Sequence, residues 1–94
     1  MDDEEIARAS RNVTLIGDYL RRHFTDFLYE VEERPPINVV FHLTDPTSGE
    51  RLTLVVVWPT LGGCDKTPAF VEKRMKDDDL ADRLRNSKDY LWTC

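Results

Sequence analysis

The sequence predicts an α+β domain in which an N-terminal helix precedes a three-stranded antiparallel meander and two C-terminal helices (αβββαα). Three observations predict it: helical periodicity near the N-terminus, apolar alternation on both sides of a turn-rich segment, and two helix starts in the last third of the chain. With 94 residues the chain has the usual size of one domain, so we expect residues 1–94 to form a single unit.

The first helix is predicted over residues 3–24, where apolar residues recur every three or four positions. These apolar residues are Ile6, Ala9, Val13, Ile16, Leu20 and Phe24. Acidic residues 2–5 begin this segment and basic residues 21–23 end it, which suits the helix dipole at both ends. Gly17 costs about 1 kcal/mol relative to alanine. It either permits the close approach of another element or is simply tolerated.

Three strands are predicted over residues 26–33, 37–44 and 51–58. Each carries alternating apolar positions, which is typical of a strand with one buried face. The segment Arg34-Pro35-Pro36 separates the first two strands, and the turn formers of residues 45–50 separate the last two.

The register of the second hairpin also follows from the sequence. If Thr44 lies opposite Arg51, every pair on one face is apolar, whereas a slip by one residue would mix the faces. The apolar pairs are Leu43–Leu52, Phe41–Leu54, Val39–Val56 and Ile37–Trp58. The pairs on the other face are Thr44–Arg51, His42–Thr53, Val40–Val55 and Asn38–Val57. The second face is therefore polar near the turn and apolar at its far end.

Val40, Val55 and Val57 pose a question, because a small antiparallel sheet needs only one apolar face. Three explanations remain open: residues 90–92 fold over them, two copies of the chain associate as a homodimer, or another protein binds there. The unprotected edges of a three-stranded sheet favour the last two explanations. We expect these valines to belong to a partner-binding surface.

Two helices are predicted after the sheet. Pro59 ends the third strand, and the glycine-rich residues 61–66 are predicted to form a loop. Thr67 and Pro68 then have the residue types of an N-cap and a first helical position. Residues 77–79 are predicted to cap the last helix, which would place Leu80, Ala81, Leu84 and Leu91 on one face. Trp92 is expected to pack back on the domain as an anchor.

Charge and composition exclude several functions. Thirteen basic and eighteen acidic residues give a net charge of −5, which argues against direct binding of nucleic acid. The same charge favours solubility or a basic partner. No apolar run approaches the roughly 20 residues that span a bilayer, and the acidic N-terminus is unlike a signal peptide. Two cysteines are too few for a disulfide framework, so we expect a cytoplasmic protein.

The leading hypothesis is a protein–protein interaction or regulatory module without catalytic activity, metal or cofactor, because the sequence contains no recognisable catalytic or metal-binding constellation. A sharper alternative is an acidic inhibitor that offers carboxylates where its nucleic-acid-binding partner expects phosphate. Small acidic proteins of phages and mobile elements that block restriction or CRISPR systems act in this way. The carboxylates proposed for that surface are Glu30, Glu32, Glu33, Asp77, Asp78 and Asp79.

A competing class is a small thiol-dependent enzyme built on Cys64. This cysteine lies next to Asp65 and Lys66 and shortly before the helix at Thr67, two features that can lower the pKa of a thiol. No histidine lies nearby in the sequence. A third class, a small subunit of a larger assembly, is not separated from the leading hypothesis by the sequence.

Overall fold

The computed structural model describes residues 2–93 and confirms the α+β class. Its helices are α1 (Asp3–His23), α2 (Trp58–Gly62), α3 (Pro68–Asp77) and α4 (Leu80–Ser87). Its strands are β1 (Leu28–Arg34), β2 (Asn38–Thr44), β3 (Arg51–Val57) and β4 (Asp89–Trp92). The four strands form one sheet in the order β1-β2-β3-β4, in which only the β3–β4 pairing is parallel.

The predicted register of β2 and β3 is confirmed. Thr44 lies opposite Arg51 and Asn38 opposite Val57, so the apolar residues of both strands share one face. Six of them are 0 or 1% exposed: Val39, Phe41, Leu43, Leu52, Leu54 and Val56. This face is the floor of the hydrophobic core.

The helices supply the other half of the core. Buried residues of α1, α3 and α4 pack against the apolar face of the sheet: Ile16, Leu20, Val71, Met75, Leu80 and Leu84. The Tyr19 hydroxyl accepts a hydrogen bond of 3.0 Å from the Ala81 N–H, which joins α1 to the first turn of α4. Within residues 2–93, no helix combines the length and the apolar composition that crossing a lipid bilayer requires.

Gly17 lies where α1 meets the side chain of Tyr29 on β1. A Cβ atom at this position would lie 2.4 Å from the Tyr29 hydroxyl oxygen and 3.1 Å from its Cζ. The guanidinium of Arg21, one turn further along α1, lies over the same ring, 4.9 Å from its centroid. Of the two explanations for this glycine, the structure supports close approach.

The end of the third strand differs from the prediction. Trp58 begins the short helix α2, where a strand end and a loop were expected, although its N–H still donates to the Ile37 carbonyl (3.0 Å). Pro59 suits the first turn of a helix, because the N–H it lacks has no partner there. The fully buried Asn12 amide donates to the carbonyls of Leu61 (2.7 Å) and Lys66 (2.9 Å), which holds this segment against α1.

The C-terminal segment also differs from the prediction. The placement of Leu91 on a helix face is wrong: α4 ends at Ser87, Lys88 has a positive φ of 65°, and the chain continues as β4. Residues 90–92 therefore extend the sheet beside β3 and do not fold over its second face. Trp92 is an anchor as expected, since it is 1% exposed and its indole N–H donates to Asp78 Oδ2 (2.9 Å).

The contact between Gly17 and Tyr29 predicts non-additive stabilities. Alanine at a helix interior normally gains about 1 kcal/mol over glycine. In Gly17→Ala that gain is offset by the clash with Tyr29, and in the Tyr29→Phe background the substitution becomes about 1 kcal/mol more favourable. Urea unfolding of the four proteins of this cycle measures the coupling. An equal effect of Gly17→Ala in both backgrounds would show that the hydroxyl does not limit the approach of α1.

Candidate functional site

The side of the sheet that faces away from the helices is the candidate site, and we call it the open face. The even-numbered residues of β1 and β2 and the odd-numbered residues of β3 and β4 lie on it. Its side chains are Leu28, Glu30, Glu32, Arg34, Asn38, Val40, His42, Thr44, Arg51, Thr53, Val55, Val57, Asp89 and Leu91. Because the helices pack on the opposite side, this face is bounded only by its own side chains.

One row of residues crosses the whole open face. Glu32, Val40, Val55 and Leu91 are successive Cα partners on the four strands. From β2 to β4 exposure increases along this row: Val40 is 6% exposed, Val55 is half-buried and Leu91 is 58% exposed. Val55, the half-buried Val57 and Leu91 form an apolar strip on β3 and β4.

The burial of Val40 has a local cause. Glu32 lies directly across from it, and Glu32 Oε2 accepts hydrogen bonds from Nε (2.8 Å) and Nη2 of Arg34. Nε2 of His42 lies 3.6 Å from the other carboxylate oxygen. Long charged side chains can cover apolar neighbours with their methylene groups. Since no helix within residues 2–93 lies on this side, we attribute the burial of Val40 to this ion pair.

The same contacts set the charge of the carboxylate. The hydrogen bonds from Arg34 hold the pKa of Glu32 below its usual range, and His42 adds a smaller effect in the same direction. Glu32 is therefore ionised at neutral pH and keeps Arg34 folded across the face.

The turn end of the open face carries a shallow polar depression of about 260 Å³. Its lining comprises Glu30, His42, Leu43, Thr44, Arg51, Leu52 and Thr53. The lining combines an acidic side chain, a basic side chain and the hydroxyl groups of two threonines, and it contains no buried nucleophile. The depression thus forms a polar rim beside the apolar strip.

The predicted acidic surface is divided between the two sides of the sheet. Glu30 and Glu32 lie on the open face at the β1 edge. Asp78 lies on the helix side, since its Oδ2 accepts from Nη2 of Arg74 (3.3 Å) and from the indole of the core residue Trp92. Trp92, which Asp78 contacts, is on β4, and this edge of the sheet is about 14 Å from the β1 edge at the usual strand spacing. The structure does not bring these carboxylates onto one surface.

Capping by residues 77–79 is only partly as expected. Asp79 occupies the N-cap position of α4, but it has a positive φ of 52° and its side chain makes no capping hydrogen bond. A hydrogen bond that its protonated form makes with Asp82, followed by desolvation and the negative charge of Asp82, raises the pKa of Asp79 above the ordinary value of 3.8. Asp77 lies at the last position of α3. Among residues 2–93, no three His, Cys, Asp or Glu side chains are grouped as metal ligands would be.

Cys64 is exposed in the loop between α2 and α3. The ammonium of Lys66 lies 2.9 Å from Asp65, where it lowers the pKa of that carboxyl group. His42 is on the open face, and His23 lies eleven residues beyond Asn12, the α1 residue that holds this loop. At 1.5 Å per helical residue, His23 lies about 16 Å along α1 from Asn12, so α1 does not bring this histidine to the loop that carries Cys64.

Sequence reasoning missed Leu91 as a member of the open face. It assigned the residue to a helix because the apolar spacing from Leu84 is compatible with helical periodicity. The polar residues 85–89 that separate Leu84 from the alternating Tyr90-Leu91-Trp92 segment were the available signal for a new strand. The cover that Glu32 and Arg34 provide was also missed, because it depends on side-chain conformation.

Comparison of the chain with family models, curated proteins and solved structures gives no match. Its function is therefore argued from its own residues.

The ion pair on the open face gives a prediction for the pKa of Glu32. Arg34→Gln should raise it towards the ordinary value of 4.5, because the charged hydrogen-bond donor is lost. A titration that follows the side-chain carboxyl carbons by NMR measures this change. Arg51→Gln, which removes a charge elsewhere on the same face, is the control. If the pKa of Glu32 were equal in wild type and Arg34→Gln, the pair would not exist in solution.

Asp79 gives a prediction for stability. A carboxyl group whose pKa is raised by folding favours the folded state below its ordinary pKa, and this contribution is lost as the pH rises through the raised value. Asparagine at position 79 does not ionise, so Asp79→Asn avoids this loss of folding free energy at neutral pH, and asparagine tolerates the positive φ. The variant should therefore exceed wild type in free energy of unfolding at pH 7, with a smaller difference below pH 3.8. Asp77→Asn is the matched charge control, and an equal gain from it would contradict the role of Asp82.

Proposed function

We propose that this chain is a protein–protein interaction or regulatory module without catalytic activity, and that a partner protein binds its open face. The observation that supports the proposal is the apolar strip of Val55, Val57 and Leu91 on a sheet face that no helix covers. Leu91 is 58% exposed on a strand, where a side chain of this size would be stabilised by a partner.

The surroundings of the strip agree with this role. Protein interfaces typically have an apolar centre and a polar rim. Here the rim consists of Glu30, His42, Arg51 and Asp89 on the same face. The strip is small, so we expect a partner that also contacts this rim and binds reversibly.

The acidic-inhibitor form of the proposal has less support. A mimic of nucleic acid needs carboxylates that line one surface, and Glu32 and Asp78 lie on different sides of the sheet in internal contacts. The thiol-enzyme alternative rests on Cys64 alone, since Lys66 is engaged by Asp65. A cytoplasmic location belongs to the same proposal, and the free thiol of Cys64 agrees with a reducing compartment.

The proposal predicts that one protein is retained by the wild type and is not retained by variants with a charged residue in the apolar strip. The test is an affinity purification from lysate of the native source with Val55→Asp and Leu91→Asp. Thr14→Asp, which adds the same charge on the exposed side of α1, is the matched control. Circular dichroism on each variant separates loss of binding from loss of folding.

The retained protein is then added in recombinant form to isotope-labelled chain. Changes in amide shifts should concentrate at Val55, Val57 and Leu91. If the shifts fall on α1 or α3, or if the folded Asp variants retain the partner, the open face is not the binding surface. If only copies of the chain itself associate, as light scattering would show, the face mediates a homodimer and the hetero-partner proposal fails.

A further inference from the structure

The outer edge of β1 has unpaired backbone groups, and the hydrogen-bond pattern of β2 with β3 identifies the residues that carry them. The Trp58 N–H donates to the Ile37 carbonyl, so odd-numbered residues of β2 bond to β3. Antiparallel pairing alternates, and the even-numbered residues of β2 therefore bond to their partners Leu28, Glu30, Glu32 and Arg34 on β1. The N–H and C=O groups of Tyr29, Val31 and Glu33 consequently point away from the sheet.

An apolar cavity of about 230 Å³ adjoins the end of this edge. It lies between the first half of α1 and the end of β1, and its lining comprises Ile6, Ala9, Ser10, Glu33, Pro35 and Trp58. Ile6 is 44% exposed there. A side chain on the helix side of a strand paired with Glu33 would point towards this cavity, because alternate residues of a strand face the same way.

The charge of the edge is negative. β1 contains three glutamates and one arginine, a net charge of −2. Arg34 is bound to Glu32, whereas Glu30 and Glu33 form no ion pair with any residue of the described range 2–93. These two carboxylates lie on opposite faces of the strand, so both would flank an added strand.

A second copy of this chain fits the edge poorly when the two β1 strands are centred on Val31. Antiparallel pairing of β1 with itself about Val31 would place Glu30 opposite Glu32 of the other copy, twice in each dimer. Like charges in directly opposite positions destabilise a strand pair. A basic segment has the complementary charge.

We propose that the β1 edge binds an extended basic segment of another protein, which adds a fifth strand to the sheet and inserts an apolar side chain into the cavity beside Glu33. The inference rests on the proposed function in that the chain binds proteins, but it uses a different surface from the open face. Backbone hydrogen bonds would supply affinity, and the cavity and the two carboxylates would supply specificity, as in other strand-addition complexes.

The test uses an acetylated synthetic peptide in which Lys and Arg alternate with Val and Leu, titrated into isotope-labelled full chain. Amide shifts are expected at Tyr29, Val31 and Glu33 and beside the cavity at Ile6. A peptide with Glu for every Lys and Arg should not bind. A peptide with Pro for every Val keeps the charge but loses the N–H donors of those residues, so it should bind much more weakly. Equal binding of the Pro peptide would overturn strand addition.

Variants of the chain complete the test. Val31→Pro removes an outward N–H and leaves the ladder to β2 intact, so it should weaken binding about tenfold, whereas Val31→Ala keeps the N–H as its control. Glu30→Lys and Glu33→Lys should each weaken binding about threefold or more. Unchanged affinity of folded Val31→Pro would overturn the inference. A natural partner lost with Leu91→Asp but retained by Val31→Pro would leave the proposed function standing and remove the edge from it.

Discussion

The apolar alternation of the β2–β3 hairpin is the constraint on which the other features of the structure depend. It places Val39, Phe41 and Leu54, together with three similar residues, on one face at 0 or 1% exposure. Every helix that buries apolar residues must then pack on that face to complete the core. For the same reason no helix of the described residues lies on the opposite face, where each side chain has neighbours only from adjacent strands.

The apolar side chains in the middle row of the open face differ in exposure between the β1 side and the β4 side. On the β1 side, the Glu32–Arg34 ion pair lies beside Val40, which is 6% exposed. On β3 and β4 the charged residues of this face, Arg51 and Asp89, form no ion pair within residues 2–93, and Leu91 is 58% exposed. A pair of this kind contributes little to stability where it is exposed to water. Its effect here is to cover Val40, so that the exposed large apolar side chains of the face are Leu28 at the β1 edge and Leu91 at the β4 edge.

The two sheet edges are also unequal. β4 is a short strand, four residues long, whose Trp92 is fixed in the core by its indole hydrogen bond to Asp78. β1 is seven residues long and mostly exposed, and it adjoins an apolar cavity. Its glutamates would meet like charges if two copies paired about Val31, and in the proposal made above they attract a basic segment.

Local sequence patterns were sufficient to predict the class of the fold, the first helix, the hairpin register and the Thr67 helix start, because each depends on periodicity or on a capping residue close in the chain. Residues far apart decided the rest. Trp58 is helical where Asn12 holds the following segment, and residues 89–92 pair with β3 as a parallel strand whose Trp92 lies in the core. The partition of the carboxylates also required the fold, since Glu32 and Asp78 differ in which side of the sheet they occupy. Local patterns carry no information on such contacts, because the free energy that selects them comes from burial and hydrogen bonds between distant segments.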